Sequence, residues 1–276
     1  MENGRLRIAS VNVNGIRAAY RNGMGPWLAA RDVDILCLQE VRAPDAIVDE
    51  FLSEDWHVLH AEAEAKGRAG VLIATRKDVL EPVATRIGIG DDYFATSGRW
   101  VEADYVLTGA DGTPTTLSVV SAYVHSGAVD TPKQVDKYRF LHTMIGRLPQ
   151  LAATSDHALV VGDLNVGHKT LDIKNWKGNV KKSGFLPEER AYFDRFLGEE
   201  IGWKDVAREL AGEVDGPYTW WSNRGQAFTN DTGWRIDYQM ATPGLAEKAL
   251  TSVVDRADSY ENRFSDHAPL VVDYKF

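Results

Sequence analysis

Short apolar segments that end in metal- or phosphate-binding side chains recur along the chain. Ala158–Val161 runs into Gly162-Asp163-Leu164-Asn165, and residues 33–38 run into Gln39-Glu40. An unbroken apolar segment of this length is typical of a strand buried on both faces of a sheet. In open α/β sheets, ligands bind beyond such strand ends. The pattern therefore predicts an α/β fold with one cleft lined by these polar residues.

Four further segments combine a strand-like stretch with polar side chains of the same kinds. Residues 6–11 lead to Asn12 and Asn14, and residues 117–122 lead to Tyr123. Asp237 lies inside a strand-like segment, and Asp266-His267 precedes another one. The recurrence predicts that these residues converge on one site.

Asp163 and Asn165 are the most informative pair. Side chains two residues apart on an extended chain point the same way, so we expect both to face the cleft. A carboxylate and a carboxamide aimed together can hold a metal, a water and a phosphate oxygen, which neither residue can do alone.

The elements predicted along the chain are mostly strands with a few helices. The predicted strands are 5–12, 33–39, 70–75, 100–107, 116–123, 157–163, 235–242, 251–256 and 269–274. The predicted helices are 25–31, 132–149, 187–198 and 204–211. This content favours sheet packed on sheet with helices outside. Because no linker interrupts the sequence, we expect one domain over residues 1–276, built from two similar halves.

Composition limits the cellular setting. Cys37 is the single cysteine and lies in an apolar strand, which favours an inert buried thiol over a catalytic one. The sequence has neither a signal segment nor an apolar run of about 18 residues, so export and membrane spanning are disfavoured. We expect a cytoplasmic protein that does not bind membranes.

The net charge of −9 argues against a nucleic-acid partner at first sight, since phosphate backbones are normally met by basic surfaces. The distribution of charge along the chain nevertheless favours a nucleic-acid partner. Between Asn165 and Lys182, Asp172 is the single acid against the lysines 169, 174, 177, 181 and 182. Such a segment is commonly a solvated loop, but its place beside Asp163 favours phosphate contact.

Taken together, the residues at the strand ends resemble the exonuclease III family of apurinic/apyrimidinic endonucleases. The resemblance runs from about Arg5 to Lys275, with motifs in the order and at the spacing of that family. It rests on Asn12, Glu40, Tyr123, Asp163, Asn165, Trp220, Asp237, Asp266 and His267. It implies a four-layered α/β sandwich of two packed β-sheets flanked by helices, shared with a superfamily of metal-dependent phosphodiesterases and phosphatases.

With the resemblance, the residues receive expected roles. The expected catalytic residues are Tyr123, Asp163, Asn165, Asp237 and His267. The expected metal ligands, for Mg²⁺ with Mn²⁺ as a substitute, are Glu40, Asn14 and Asp266. The expected substrate-binding residues are Asn12, Arg17, Asn179, Lys181, Lys182, Trp220, Trp234 and Ile236.

Several of these roles compete with plainer ones. Glu40 either pairs with a basic neighbour such as Arg42 or binds a metal; we favour the metal, because a hard cation takes oxygen ligands. Asp163 is expected to act as general base or water orienter. Tyr123 either donates to the phosphate or the leaving oxygen, or packs as an aromatic at a strand end.

The second constellation is Asp237 with His267. An upstream aspartate accepting one imidazole N–H would leave the other ring nitrogen to face a phosphate. We expect His267 to position the phosphate and stabilise its charge, with Asp237 as its orienter.

The implied substrate is DNA. The resemblance places Trp220, Trp234 and Ile236 around a pocket for a base-less sugar, although tryptophans are core residues by default. An apolar slot too small for a base would select abasic nucleotides by exclusion. His125-Ser126, where many relatives have Pro-Asn, and Lys182, where an Asn is common, depart from the family pattern.

The sequence thus predicts a Mg²⁺-dependent repair nuclease that hydrolyses the phosphodiester 5′ to abasic sites and trims 3′ ends as exonuclease or 3′-phosphatase. The expected partner of this monomer is double-stranded DNA with abasic sites or blocked 3′ ends. Two alternatives are a phosphoesterase acting on lipid or inositol phosphates and a DNA-end binding protein with a decayed site. The Trp234/Ile236 pair argues against the first, and the complete catalytic set against the second.

Overall fold

Two sheets form the centre of the fold. In the computed structural model, which describes residues 4–52, 54–109 and 112–276, twelve strands form two six-stranded sheets. In spatial order, the first sheet contains β11 (Ala249–Val254), β12 (Leu270–Lys275), β1 (Arg5–Asn12), β2 (Ile35–Gln39), β4 (Val71–Arg76) and β3 (Trp56–Ala61). The second contains β5 (Ala84–Ile87), β6 (Trp100–Thr108), β7 (Pro114–Tyr123), β8 (His157–Asp163), β10 (Asp237–Ala241) and β9 (Lys204–Asp205).

The two sheets share one pattern of strand directions. In each, the central pair is parallel, β1 with β2 and β7 with β8, and the other neighbours are antiparallel. The match agrees with the expectation of two similar halves. It also brings the carboxyl ends of both central pairs to one edge of the molecule.

Five helices cover the outer faces of the sheets: α1 (Ile16–Arg21), α2 (Met24–Arg31), α3 (Asp45–Leu52), α4 (Pro132–Thr154) and α5 (Pro187–Leu197). Two short helices, α6 (Val206–Ala211) and α7 (Pro243–Ala246), pack instead against the cluster between the sheets. Short 3₁₀ helices span Asp92–Phe94, Thr170–Asp172 and Trp176–Gly178. Prolines begin α4 and α5, where the missing amide hydrogen costs nothing.

The core has three main parts. Between the sheets pack side chains such as Ile8, Cys37, Val119 and Val161. A second cluster joins the α4 and α5 side chains to the second sheet, and a third joins α1, α2 and α3 to the first. The order helix, sheet, sheet, helix confirms the predicted four-layered sandwich. Cys37 is buried and free, as expected, and burial raises the pKa of its thiol.

All nine predicted strands are present, with ends shifted by up to two residues. Several predictions of local structure were incomplete. The strands β3, β5 and β9 and the short helices α1, α3 and α7 were missed, and α4, predicted to end at residue 149, continues to Thr154. The helix predicted from 204 begins at Val206, because Lys204 and Asp205 pair with β10 instead. No helix among the described residues is long and apolar enough to cross a membrane.

Candidate active site

Asn12 joins the two sheets at the edge where the strand ends meet. It is the last residue of β1, is fully buried, and belongs to the first sheet. Its Nδ2 donates to Glu40 Oε1 at 2.9 Å and to Asp163 Oδ2 at 2.9 Å. Asp163 ends β8 in the second sheet, so one carboxamide connects carboxylates from both halves.

Glu40 lies directly after β2 with a left-handed backbone (φ 50°). Tyr123 donates its hydroxyl proton to Glu40 Oε1 at 2.7 Å, and Arg42 forms an ion pair with Oε2. Burial would raise the pKa of the Glu40 carboxyl, but hydrogen bonds from Asn12 and Tyr123 and the charge of Arg42 lower it overall. Glu40 is therefore ionised, and its plainer pairing with Arg42 is present. Tyr123 also shows its plainer role, because its ring packs in the core cluster between the sheets.

A second carboxylate, Asp266, lies close by. Asn14 Nδ2 donates to Asp266 Oδ1 at 3.1 Å, and Trp220 Nε1 donates to Asp266 Oδ2 at 3.1 Å. Burial would raise the pKa of this carboxyl, but the His267 charge and the Trp220 hydrogen bond lower it. Ser265, whose hydroxyl donates to Asn12 O at 2.6 Å, fixes this segment against β1.

Asp237 and His267 form the expected pair. His267 Nδ1 lies 2.8 Å from Asp237 Oδ2, which also accepts the Thr219 hydroxyl at 2.6 Å. The other ring nitrogen, Nε2, lies 3.7 Å from Asp163 Oδ2. Burial would lower the pKa of His267, but the Asp237 and Asp163 carboxylates raise it above its ordinary value. The imidazole is thus held as a cation facing Asp163.

Asp163 is almost completely buried in the cluster. Burial raises the pKa of its carboxyl, against the opposing charge of His267. A raised pKa suits a group that must accept a proton near neutral pH.

Asn165 reaches Asp163 by a route that the sequence did not predict. Its backbone is left-handed (φ 52°), not extended, so the two side chains do not simply alternate along a strand. Instead, Asn165 N donates to Asp163 Oδ1 at 2.9 Å, closing a turn. Asn165 Nδ2 donates to Asp163 Oδ2 at 3.2 Å and to Val124 O at 2.9 Å. The expectation of an extended pair was wrong, but the two side chains do meet.

The rings of Trp220 and Trp234 form an aromatic surface beside the cluster, which we call the aromatic wall. The rings of Trp220 and Trp234 meet edge to face at a centroid distance of 5.8 Å, and Trp220 lies 6.4 Å from the His267 ring. Ile236 is buried, and its backbone N–H donates to Thr219 Oγ1 at 3.2 Å. The predicted pocket residues thus adjoin the polar cluster.

The remaining predicted residues lie outside this hydrogen-bonded cluster. Arg17 is exposed on α1. In the lysine loop, which we define as residues 167–184, Lys181 and Lys182 are exposed, and Asn179 Nδ2 donates to Asn175 O at 2.8 Å. Two of the loop's lysines form ion pairs with acids: Lys169 with Asp194 at 2.8 Å and Lys174 with Asp215 at 3.2 Å.

Of the two departures from the family pattern, His125-Ser126 has a structural explanation, and nothing in the described structure explains Lys182, whose side chain is exposed. His125 packs its ring 5.4 Å from Phe94 and 5.6 Å from Phe140, and its Nδ1 is buried without a hydrogen-bond partner in the described structure. Ser126 contributes its backbone carbonyl, which accepts the Ser183 hydroxyl at 2.7 Å. Ser126 therefore anchors the lysine loop through its main chain.

A basic cleft beside Glu40 was missed by sequence reasoning. It has a volume of about 560 Å³, and Tyr123 forms part of its wall. Arg99 stacks on Tyr123 at 4.5 Å and donates to its carbonyl at 3.3 Å. The cleft's cationic side chains are those of Arg42, Lys66, Arg68, Arg99 and Lys133. The sequence signal was available, since Lys66-Gly67-Arg68 precedes β4 and Arg99 precedes β6.

The donor chemistry fits a hard divalent cation. Glu40, Asp266 and Asn14 offer oxygen atoms around Asn12, and both carboxylates have lowered pKa values. In the described part of the chain, ligand atoms of Asp163, Asp237 and His267 also lie within 4.8 Å of one another. Asp237 Oδ1 is buried without a hydrogen-bond partner among the described residues, an arrangement that a cation or water would satisfy.

Comparison with known proteins identifies the family. The profile of the endonuclease/exonuclease/phosphatase family matches residues 9–267. The chain belongs to this family. Among members, an exodeoxyribonuclease of Bacillus subtilis is 30% identical over 266 residues, covering 96% of this chain and 98% of that protein. The DNA repair nuclease APEX1 of Danio rerio is 30% identical over 282 residues, covering 97% of this chain and 81% of that protein.

Solved structures of family members agree with the fold. The catalytic domain of Xenopus laevis APE2 superposes with a TM-score of 0.86 at 25% identity, covering 98% of this chain and 92% of that one. An AP endonuclease from Archaeoglobus fulgidus has a TM-score of 0.80 at 28% identity, covering 98% and 100%. The predicted resemblance is therefore confirmed.

Proposed function

We propose that this family member is a DNA repair nuclease that uses Mg²⁺, with Mn²⁺ as a substitute, to hydrolyse the phosphodiester 5′ to abasic sites. The proposal includes trimming of 3′ ends as exonuclease or 3′-phosphatase, because one phosphate-binding cluster serves both reactions. We further propose that residues 1–276 form one catalytic domain that acts as a monomer on DNA in the cytoplasm.

The observation that carries the proposal is the position of Trp220. Its indole N–H holds Asp266, and its ring meets Trp234. The hydrolytic cluster and an aromatic wall suited to a base-less sugar are therefore physically joined.

In this mechanism, Asp163 orients the attacking water and accepts its proton. Asn165 and Asn12 fix the Asp163 carboxylate through their hydrogen bonds. The imidazolium of His267, oriented by Asp237, stabilises charge on the phosphate oxygen. Because phosphoryl transfer leaves little covalent work for side chains, these contributions are positioning and charge stabilisation.

Glu40, Asp266 and Asn14 would hold the metal. A bound Mg²⁺ supplies Lewis-acid stabilisation of charge on the phosphate oxygens. The Arg42 guanidinium must turn away from Glu40 for this, and the adjacent basic cleft offers it a phosphate instead. Tyr123, whose hydroxyl bonds to Glu40, orients that carboxylate.

One assay tests the proposal. Incision of a duplex bearing a single tetrahydrofuran abasic analogue is measured with Mg²⁺ and in excess EDTA, beside an intact duplex and an inositol phosphate. We expect EDTA to abolish incision, Mg²⁺ to restore it, and Glu40→Ala to raise the Mg²⁺ concentration needed. Hydrolysis of the inositol phosphate alone would favour the phosphoesterase alternative, and DNA binding without cleavage would favour a decayed site.

A further inference from the structure

A buried ion pair connects two helices behind the active site. Lys137 of α4 and Glu189 of α5 have fully buried side chains, and Nζ lies 2.8 Å from Oε1. A buried pair adds little net stability over apolar side chains of similar size, because both charges lose their hydration. The role of this pair therefore has to be sought in what else it binds.

Lys137 holds the turn that carries the proposed base. Its Nζ donates to the carbonyl oxygen of Asn165 at 2.8 Å and to that of Ser126 at 3.3 Å. Asn165 in turn donates its backbone and side-chain N–H groups to Asp163. A displacement of Lys137 would therefore move Asn165 and, through its hydrogen bonds, Asp163.

Glu189 holds the end of the lysine loop. Its Oε2 accepts the backbone N–H groups of Gly184 at 2.7 Å and Leu186 at 3.0 Å. Gly184 (φ +94°) has no room for a side chain, because a Cβ there would lie 2.8 Å from the Trp234 ring and 3.3 Å from Asn165 O. The carboxylate thus fixes the segment that separates Trp234 from the catalytic turn.

We propose that Lys137 and Glu189 are positioning residues for the nuclease reaction, holding the Asp163–Asn165 turn in register with Trp234 and the lysine loop. The inference rests on the proposed function and extends it to two residues outside the site. Misplacement of reacting groups by about 1 Å costs on the order of 10²-fold in rate, so loss of this pair should reduce turnover strongly.

The test uses a matched pair on the same helix. Glu102 of β6 is also fully buried and pairs with Arg147 of α4 at 2.5 Å and with Arg86 of β5 at 2.6 Å, and none of its hydrogen bonds in the described structure goes to the cluster. We expect Glu189→Gln to lower kcat on the tetrahydrofuran duplex by about 10- to 100-fold at saturating DNA and Mg²⁺. The Glu102→Gln control should lose thermal stability while keeping kcat within about twofold of wild type.

A double variant separates positioning from stability. Lys137→Met with Glu189→Leu replaces the charges by apolar groups of similar size and leaves no unpaired buried charge, so it should melt at a higher temperature than Lys137→Met alone. It leaves the Asn165 carbonyl and the Gly184 amide without these partners, so kcat should stay low. Recovery of kcat together with stability would overturn the inference, as would a Glu189→Gln protein with wild-type kcat.

If these variants do not fold, Glu189→Asp decides the question, because it keeps the charge and shortens the side chain by one methylene. The shorter side chain draws the carboxylate back from Lys137 Nζ (2.8 Å) and from the backbone N–H groups of Gly184 (2.7 Å) and Leu186 (3.0 Å). A several-fold fall in kcat with unchanged KM supports the inference, and wild-type kinetics contradict it. Failure of the wild-type protein to incise the duplex would instead contradict the proposed function.

Discussion

Asp163→Asn changes one atom of a buried side chain and tests the proposed base. Asp163 Oδ1 accepts from Asn165 N at 2.9 Å, and Oδ2 accepts from Asn12 Nδ2 at 2.9 Å and Asn165 Nδ2 at 3.2 Å. The oxygen of the new amide can accept at one of the two positions. At the other position, its NH₂ group would face an N–H donor and could not accept. At least one hydrogen bond to a charged group is lost, worth about 1.5–3 kcal/mol.

The loss of transition-state stabilisation should be at least comparable with the loss of folding stability. Positioned proton transfer contributes about 10²-fold or more, so kcat should fall by at least that factor. DNA affinity should hold or rise, since a negative charge near phosphate is removed. The measurements are single-turnover incision, DNA affinity in Ca²⁺, and a melting curve to verify folding. A fall of less than tenfold, roughly 1.4 kcal/mol of barrier, would show that Asp163 is neither base nor water orienter.

Three further substitutions test other parts of the molecule. Trp234→Ala should reduce abasic-site incision more than 3′-phosphate removal, and equal losses would make Trp234 a core residue. Lys181→Ala with Lys182→Ala should weaken binding to abasic and intact duplexes alike and flatten the log-affinity against log-salt slope by up to ~2 units, whereas Lys248→Ala should not. Burial and the charges of Arg99 and Lys137 lower the pKa of His125 to about 3. Because unfolded His125 binds a proton below about pH 6.5 and folded His125 does not, stability should fall as pH drops from 6.5, by at most about 1.4 kcal/mol per unit. Urea unfolding of His125→Gln should lack this component; parallel pH profiles would contradict it.

The missed strands share one physical property. β3, β5 and β9 are three of the four sheet edges. An edge strand pairs on one side only and need not be apolar: the four residues of β5 are all exposed. The predicted strands lie mostly inside the sheets, where burial on both faces leaves a continuous apolar segment. Sequence pattern therefore reports the sheet centres, and with them the strand ends that carry the site.

That the polar residues at the strand ends come together was predictable from the sequence, but their hydrogen-bond connections were not. Strand ends must converge, so the polar residues there could be named without knowing their partners. The roles of Lys137 and Glu189 could not be predicted, because isolated charged residues on helices are typical of solvated faces. Their burial depends on two helices packing together, and on loop carbonyls and amides that no local pattern encodes.

The net charge of −9 is compatible with DNA binding because the charges are segregated. Ile35 at the start of β2 pairs with Thr75, so Arg76 lies at the end of the sheet opposite Glu40. A groove at that far end is lined by four acids (Asp32, Glu54, Asp55 and Asp78) and two bases (Arg76 and Lys77), which leaves it with an excess of negative charge. Five residues of strand separate the two ends by roughly 17 Å, about twice the Debye length at physiological salt. Acids at the far end are thus screened from a phosphate bound in the basic cleft, and the molecule's polarity would orient approaching DNA toward the cluster.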